Sequence, residues 1–292
     1  WRWRFFWRLG NLQKMKKTIL YSILFLFYSC TNYGQLTIVS QLSSSLKEVS
    51  GNEMIVNSDL IWMLNDSGNT SEIFGVHQLG KLTKVIKVQA KNNDWEDLTS
   101  DEKGNLYIGD FGNNNLKRKK LTILKITNQD LLNGESVAVE SIEFEYPQLD
   151  KKKNSFDAEA FFYFQNQFYI FTKSRKKKNL GSTLLFKVPN KQGKHIAEFI
   201  SEYEFCNAPE CRITAADISE NGKQIALLNH ASVFIITNFT GENFFSGKIK
   251  EIPLKHTSQK EGINFKDENT LFITDERVKK IGGNLYNLKI KS

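Results

Sequence analysis

The sequence predicts an all-β protein, a single β-propeller of five blades closed by its own N-terminal strand. Past residue 35, short runs rich in β-branched and aromatic residues alternate with Gly, Asn and Lys turns, and no stretch sustains a helical period. One hairpin-like segment recurs five times without gaps. The last repeat runs out after its third strand, while an unassigned strand stands ahead of the first.

The repeats are GNEMIVNSDLIWMLND (51–66), WEDLTSDEKGNLYIGD (95–110), AEAFFYFQNQFYIFTK (158–173), AADISENGKQIALLNH (215–230) and KEGINFKDENTLFITD (260–275). Each carries apolar residues on both arms of a polar tip such as Glu102-Lys103-Gly104-Asn105, the pattern of a half-buried hairpin. Further strands are expected at 121–126, 183–188, 232–237 and 284–290. Repeat starts about 45 to 63 residues apart suit four-stranded blades with variable outer loops. Residues 36–40 (LTIVS) can supply the strand the last blade lacks, which removes the exposed edge. A sixth, degenerate blade between Asn128 and Asp157 is the alternative count.

The formal charge of +8 does not point to nucleic acid. Arg2, Arg4, Arg8, Lys14, Lys16 and Lys17 all precede residue 31 with no acid among them, so the remainder is nearly neutral. The basic runs 117–120, 151–153 and 175–178 are expected to be solvated loop tips. Residues 1–14 lack an initiator Met and are expected to lie upstream of the true start. Residues 15–30 have the form of a signal peptide, with Met15-Lys16-Lys17 ahead of an apolar stretch (18–27) too short to span a bilayer. Phe27-Tyr28-Ser29-Cys30 is an imperfect lipobox. The expectation is a cell-envelope lipoprotein, lipidated at Cys30 and touching the membrane only through that anchor. Cleavage near Gly34-Gln35 to a periplasmic or secreted protein is the alternative. The propeller then occupies residues 31–292 and is expected to be a monomer. Cys206 and Cys211, four residues apart, are expected to form a disulfide in an oxidising compartment.

In a propeller blade the innermost strand leaves one face of the disc and the second strand returns to it. The second and sixteenth positions of the repeat therefore share a face beside the central channel. The openers are Asn52, Glu96, Glu159, Ala216 and Glu261, and the closers Asp66, Asp110, Lys173, His230 and Asp275. Asp97, Asp217 and Glu53 neighbour the openers, and Asn113 follows from Asp110-Phe111-Gly112-Asn113. This predicts one mouth carrying six carboxylates together with Asn52, Lys173 and His230. Carboxylates crowded in a confined site call for a cation, so Glu96, Asp110, Glu159, Glu261 and Asp275 are candidate Ca²⁺ ligands. No nucleophile elbow, phosphate-binding glycine loop or Cys-x-x-Cys pair is present. Trp62 and Trp95 read as packing residues.

Glu48-Val49-Ser50-Gly51, Trp62 through Asn69, Asn93 through Leu98 and Tyr107 through Asn114 resemble the opening blades of a family of exported bacterial propellers found as lipoproteins and secreted proteins in Bacteroidota. Lys260-Glu261-Gly262-Ile263 is similar, more distantly, to a segment of the SdiA-regulated, esterase-like, gluconolactonase and NHL propellers. The resemblance implies a propeller fold and export, and in the lactonase-like members a channel calcium held by Glu, Asn and Asp. Two functions follow as expectations. One is a module binding a small molecule, glycan or envelope protein through the acidic face. The other is a Ca²⁺-dependent hydrolase of an ester, lactone or phosphoester at the channel mouth.

Overall fold

Each recurring hairpin forms the inner edge of a blade. The computed structural model describes residues 32–149, 156–175 and 179–290, and residues 34–292 make up one compact unit. The expectations for the signal segment and for Cys30 lie outside the described residues, as do those for 150–155 and 176–178. Among the described residues no helix is long and apolar enough to cross a membrane.

Strand β1 (Thr37–Gln41) comes first and belongs to the last blade. Blade 1 is β2 (Val49–Met54), β3 (Leu60–Asn65), β4 (Glu72–His77) and β5 (Leu82–Val88). Blade 2 begins with β6 (Trp95–Ser100), β7 (Leu106–Asp110) and β8 (Leu121–Ile126). The short helix α1 (Asn128–Asn133) and β9 (Ser136–Val137) follow, with β9 adding in parallel to β5. Strand β10 (Glu140–Glu145) completes blade 2, so the stretch that could have hidden a sixth blade is the outer edge of two others. Blade 3 is β11 (Asp157–Phe164), β12 (Gln167–Lys173), β13 (Ser182–Pro189) and β15 (Glu198–Glu204); β14 (Gly193–Ile196) between them pairs in parallel with β10. Blade 4 is β16 (Ala215–Ile218), β17 (Gln224–Leu228), β18 (Ser232–Thr237) and β19 (Lys248–Pro253). Blade 5 is β20 (Lys260–Asp267), β21 (Thr270–Asp275) and β22 (Asn284–Lys289), with β1 as its fourth strand. Five sheets result, and the first and last ends of the propeller close on each other.

Local chemistry sets the hairpin tips. In blade 2, Asp101 Oδ1 accepts the amides of Lys103 (3.0 Å) and Asn105 (2.9 Å), and Gly104 takes the left-handed conformation (φ 77°) that the turn needs. Between blades, apolar faces meet in successive clusters. Trp62 and Trp95 are buried between blades 1 and 2, as expected for packing residues. Blades 2 and 3 enclose an aromatic cluster that includes Phe111, Phe161, Phe168 and Phe186.

The inner strands are tied across the blades by side chains. Asn52 Nδ2 donates to Asn264 Oδ1 at 2.9 Å, joining blades 1 and 5. Asp217 Oδ2 accepts the Phe265 amide at 2.7 Å, joining blades 4 and 5. Asp97 Oδ2 accepts the Phe161 amide at 3.3 Å, joining blades 2 and 3.

Candidate functional site

A repeated irregularity positions the acids. In blades 1, 2, 3 and 5 the innermost strand carries a bulge just after its start, at Ser50, Glu96, Glu159 and Glu261. A bulged residue leaves the ladder and its side chain is re-aimed, here toward the mouth at which the inner strands begin (the upper mouth). Blade 4 has no such bulge and carries Ala216 in its ladder.

Four of the six expected carboxylates meet at the upper mouth, and Lys173 and His230 join them. Glu96 feels the charges of Glu159, Asp66, Asp157 and Asp94; Asp66 feels Asp94 and Glu261. Glu159 pairs with Lys173, and Arg175 bonds Asp157 and, at 3.0 Å, Glu159. His230 Nε2 stands 3.6 Å from Glu261 Oε1. Asp94, Asp157, Arg175 and Glu276 belong to this mouth as well and were not among the expected residues. Asp94 and Asp157 immediately precede aligned repeats and Glu276 follows one, so a window widened by a residue at each end would have found them.

The remaining expected residues lie elsewhere, each for a local reason. Asp110 is spent inside its own loop, accepting from the Asp94 amide (3.2 Å), Asn93 Nδ2 (2.8 Å) and Arg118 Nη2 (2.8 Å). Asp275 is fully buried and accepts from the Asn284 amide and the Tyr286 hydroxyl, both at 2.9 Å. Asn113 braces the same loop as Asp110, donating to Arg118 O (3.0 Å) and Phe156 O (3.1 Å). Asn52, Asp97 and Asp217 are the interior ties between blades. Glu53 and Asp217 line instead the opposite, lower mouth, a cleft of about 450 Å³ at the hairpin tips. Arg175, expected to be a solvated tip, is a partner of two buried acids.

The electrostatics follow from burial. Glu96 is 5% exposed, and burial followed by its four acidic neighbours pushes its carboxyl well above the ordinary range. Asp66 is raised to about 6, again first by burial. Burial raises Glu159 to about 8 against the pull of Lys173. Burial works to lower Lys173, but Glu159 and Glu261 more than offset it, and the ammonium is held above its usual value. Burial and the neighbouring Glu261 and Asp66 raise Glu276 to about 9, so at neutral pH it keeps a proton to share with Glu261.

Beside the acids opens a cleft of about 660 Å³ lined by Lys173, Arg212, His230, Gln259, Glu261 and Glu276, among others. The Cys206–Cys211 disulfide closes the loop along its rim, with Cα atoms 5.6 Å apart. Behind the cleft, Lys260 Nζ lies 3.0 Å from Ser258 Oγ and 2.9 Å from the His256 carbonyl. Burial lowers Lys260 to about 8.

Among the described residues, Glu96 alone of the five expected calcium ligands belongs to a group of carboxylates close enough to share an ion. Asp66, Asp94 and Glu96 each offer an oxygen, all within 4.8 Å of one another. Asp110, Glu159 and Asp275 are engaged by the partners named above.

Comparison with known proteins supports the fold. No family model matches the chain, and no curated protein does. Among solved structures it is similar to the PQQ-bound aldose sugar dehydrogenase of Streptomyces coelicolor, with a TM-score of 0.52 and 7% identity over 88% of this chain and 98% of that one. The gluconolactonase XC5397 of Xanthomonas campestris gives 0.49 and 11% over 90% and 93%. Virginiamycin B lyase of Staphylococcus aureus gives 0.43 and 14% over 84% and 67%. At 7% identity the first of these likenesses speaks for the fold alone and for nothing of the chemistry.

Proposed function

We propose that the protein is an exported propeller that binds a hydroxyl-rich small molecule or glycan fragment at the upper mouth. One observation carries the reading: buried carboxylates adjoin a cleft of about 660 Å³ whose lining combines donors and acceptors with the apolar Pro209, Val278 and Ile281. Carboxylates such as Glu261 accept from hydroxyls, while Lys173, Arg212 and Gln259 donate to ring and hydroxyl oxygens. The disulfide supports an oxidising compartment, and the sequence pattern at Cys30 supports lipid anchoring. Fatty-acid labelling is expected on the full chain and should vanish in Cys30→Ala; label that persists would remove the anchor.

Binding is tested by calorimetry with a panel of mono- and oligosaccharides in calcium-free buffer. At least one should bind, and Glu261→Gln or Arg212→Ala should weaken it about tenfold or more. A panel without binders, or binding indifferent to both changes, would overturn the reading.

A second reading, hydrolysis of an ester or lactone, is favoured by the Ser258–Lys260 contact. A lysine lowered toward neutrality can take the hydroxyl proton of a serine as that oxygen attacks a carbonyl. Turnover of aryl esters or lactones that is lost in Ser258→Ala would establish it in place of simple binding.

A further inference from the structure

Three carboxylates near one another do not by themselves make a site, because acidic groups cluster for many reasons. At the seam of blades 1 and 2, the state of Glu96 supplies the missing indication. The residue is only 5% exposed. Among the described residues its carboxylate accepts no hydrogen bond and touches no cation. Groups buried to this degree ordinarily have donors or a counter-ion. Asp94's carboxylate takes none either, and Asp66 is bonded only by its neighbour Ser67.

Gly112 is the second indication. Its backbone does not adopt the left-handed conformation that would by itself demand glycine. What demands it is space. A Cβ there would fall 1.9 Å from Glu96 Oε1 and 2.6 Å from Asp94 Oδ2. Without a side chain at Gly112, the Glu96 and Asp94 carboxylates lie directly against its backbone, in space that a Cβ would take from them. The Gly112 peptide is itself anchored, its amide on Asp94 O (3.1 Å) and its carbonyl under Arg118 Nη1 (2.7 Å), so the backbone against which the two carboxylates lie is fixed.

We infer that Asp66, Asp94 and Glu96 form a binding site for a hard divalent cation, with Ca²⁺ the ion that fits best. The ligand set is all oxygen, with no His or Cys in the group, which disfavours zinc. Three carboxylates supply part of the roughly six to eight oxygens that Ca²⁺ takes, leaving positions for water or for hydroxyls of a ligand. The site draws on two adjacent blades, whereas the repeat pattern spreads the candidate ligands around the channel. It stands independently of the glycan reading, because the ion can be titrated alone.

The test is calorimetric titration of CaCl₂, and separately MgCl₂, into the chelator-treated full chain. One Ca²⁺ should bind, with Kd in the roughly micromolar to millimolar range. Glu96→Gln, Asp94→Asn and Gly112→Ala should each weaken it at least tenfold, while Glu140→Gln on the outer strand β10 should change it less than about twofold. Asp94 carries no structural bond through its carboxylate, so Asp94→Asn keeps the test decisive should Gly112→Ala fail to fold. Absence of heat and of any thermal shift with either ion, or affinity unmoved in Asp94→Asn and Glu96→Gln, would overturn the site. Either result leaves saccharide binding in calcium-free buffer as a separate measurement of the adjoining cleft.

Discussion

Blades 2 and 3 place a glutamate at the same bulge, and the two side chains live in different circumstances. Glu159 is paired with Lys173 and Arg175, and its neighbour Asp157 is also held by Arg175. Glu96 is as deeply buried and faces other carboxylates alone. The contrast separates two uses of one repeat position. A compensated acid ties its blade together, and the uncompensated one has no cation beside it among the described residues. Acidity at a channel mouth is therefore not one property; the position of the cations divides it.

The largest expected effect lies on the compensated side. Lys173→Ala removes the buried ammonium beside Glu159, leaving it Arg175 alone, and should destabilise the protein by about 3 kcal/mol, read from urea denaturation. Arg175→Gln, which leaves Lys173 in place and alters a partly exposed group, should cost about 1–3 kcal/mol. Similar losses from Glu96→Gln in metal-free buffer would erase the distinction, because that change removes a buried, unpaired charge and should raise stability by about 1 kcal/mol.

A pH profile sharpens the comparison further. Glu276, at about 9, and Asp217, at about 7, hold protons in the folded state that the unfolded chain has already released. The folded state then binds more protons, so stability falls as pH rises from about 4.5 toward 9. Thermal melts of the metal-free protein should drop across that window, and Glu276→Gln should flatten the slope above pH 7. A melting temperature rising through the same window would contradict the assignment.

Much of this was legible in the sequence, and what was missed has physical causes. Five hairpins, the closing strand and the disulfide follow from alternation, turn residues and spacing. The bulges leave no compositional trace, since a bulge is a property of the pairing between strands. Blade 1 shows the consequence. Its ladder pairs Val49 with Asn65, whereas blade 2 pairs Trp95 with Asp110, so the hairpin is one residue longer and gap-free alignment shifts the register. Asn65, not Asp66, is the counterpart of Asp110, and the two do the same work. Asn65 Oδ1 accepts the Glu48 amide at 3.2 Å, as Asp110 accepts that of Asp94. Asp66, one residue further on, escapes that duty and turns to the mouth. Asp275 could not be told from Asp66 by type, because only the burial of Tyr286 beside it decides that its oxygens stay in the blade.

The distinction between the two glutamates is tested most directly by diffraction from crystals soaked in Mn²⁺, whose anomalous signal locates an oxygen-bound ion without reference to any activity. A peak is predicted among Asp66, Asp94 and Glu96, roughly 2.0–2.6 Å from their oxygens, with none at Asp157 and Glu159. An empty seam between blades 1 and 2, or an ion on the blade 3 pair, would contradict it.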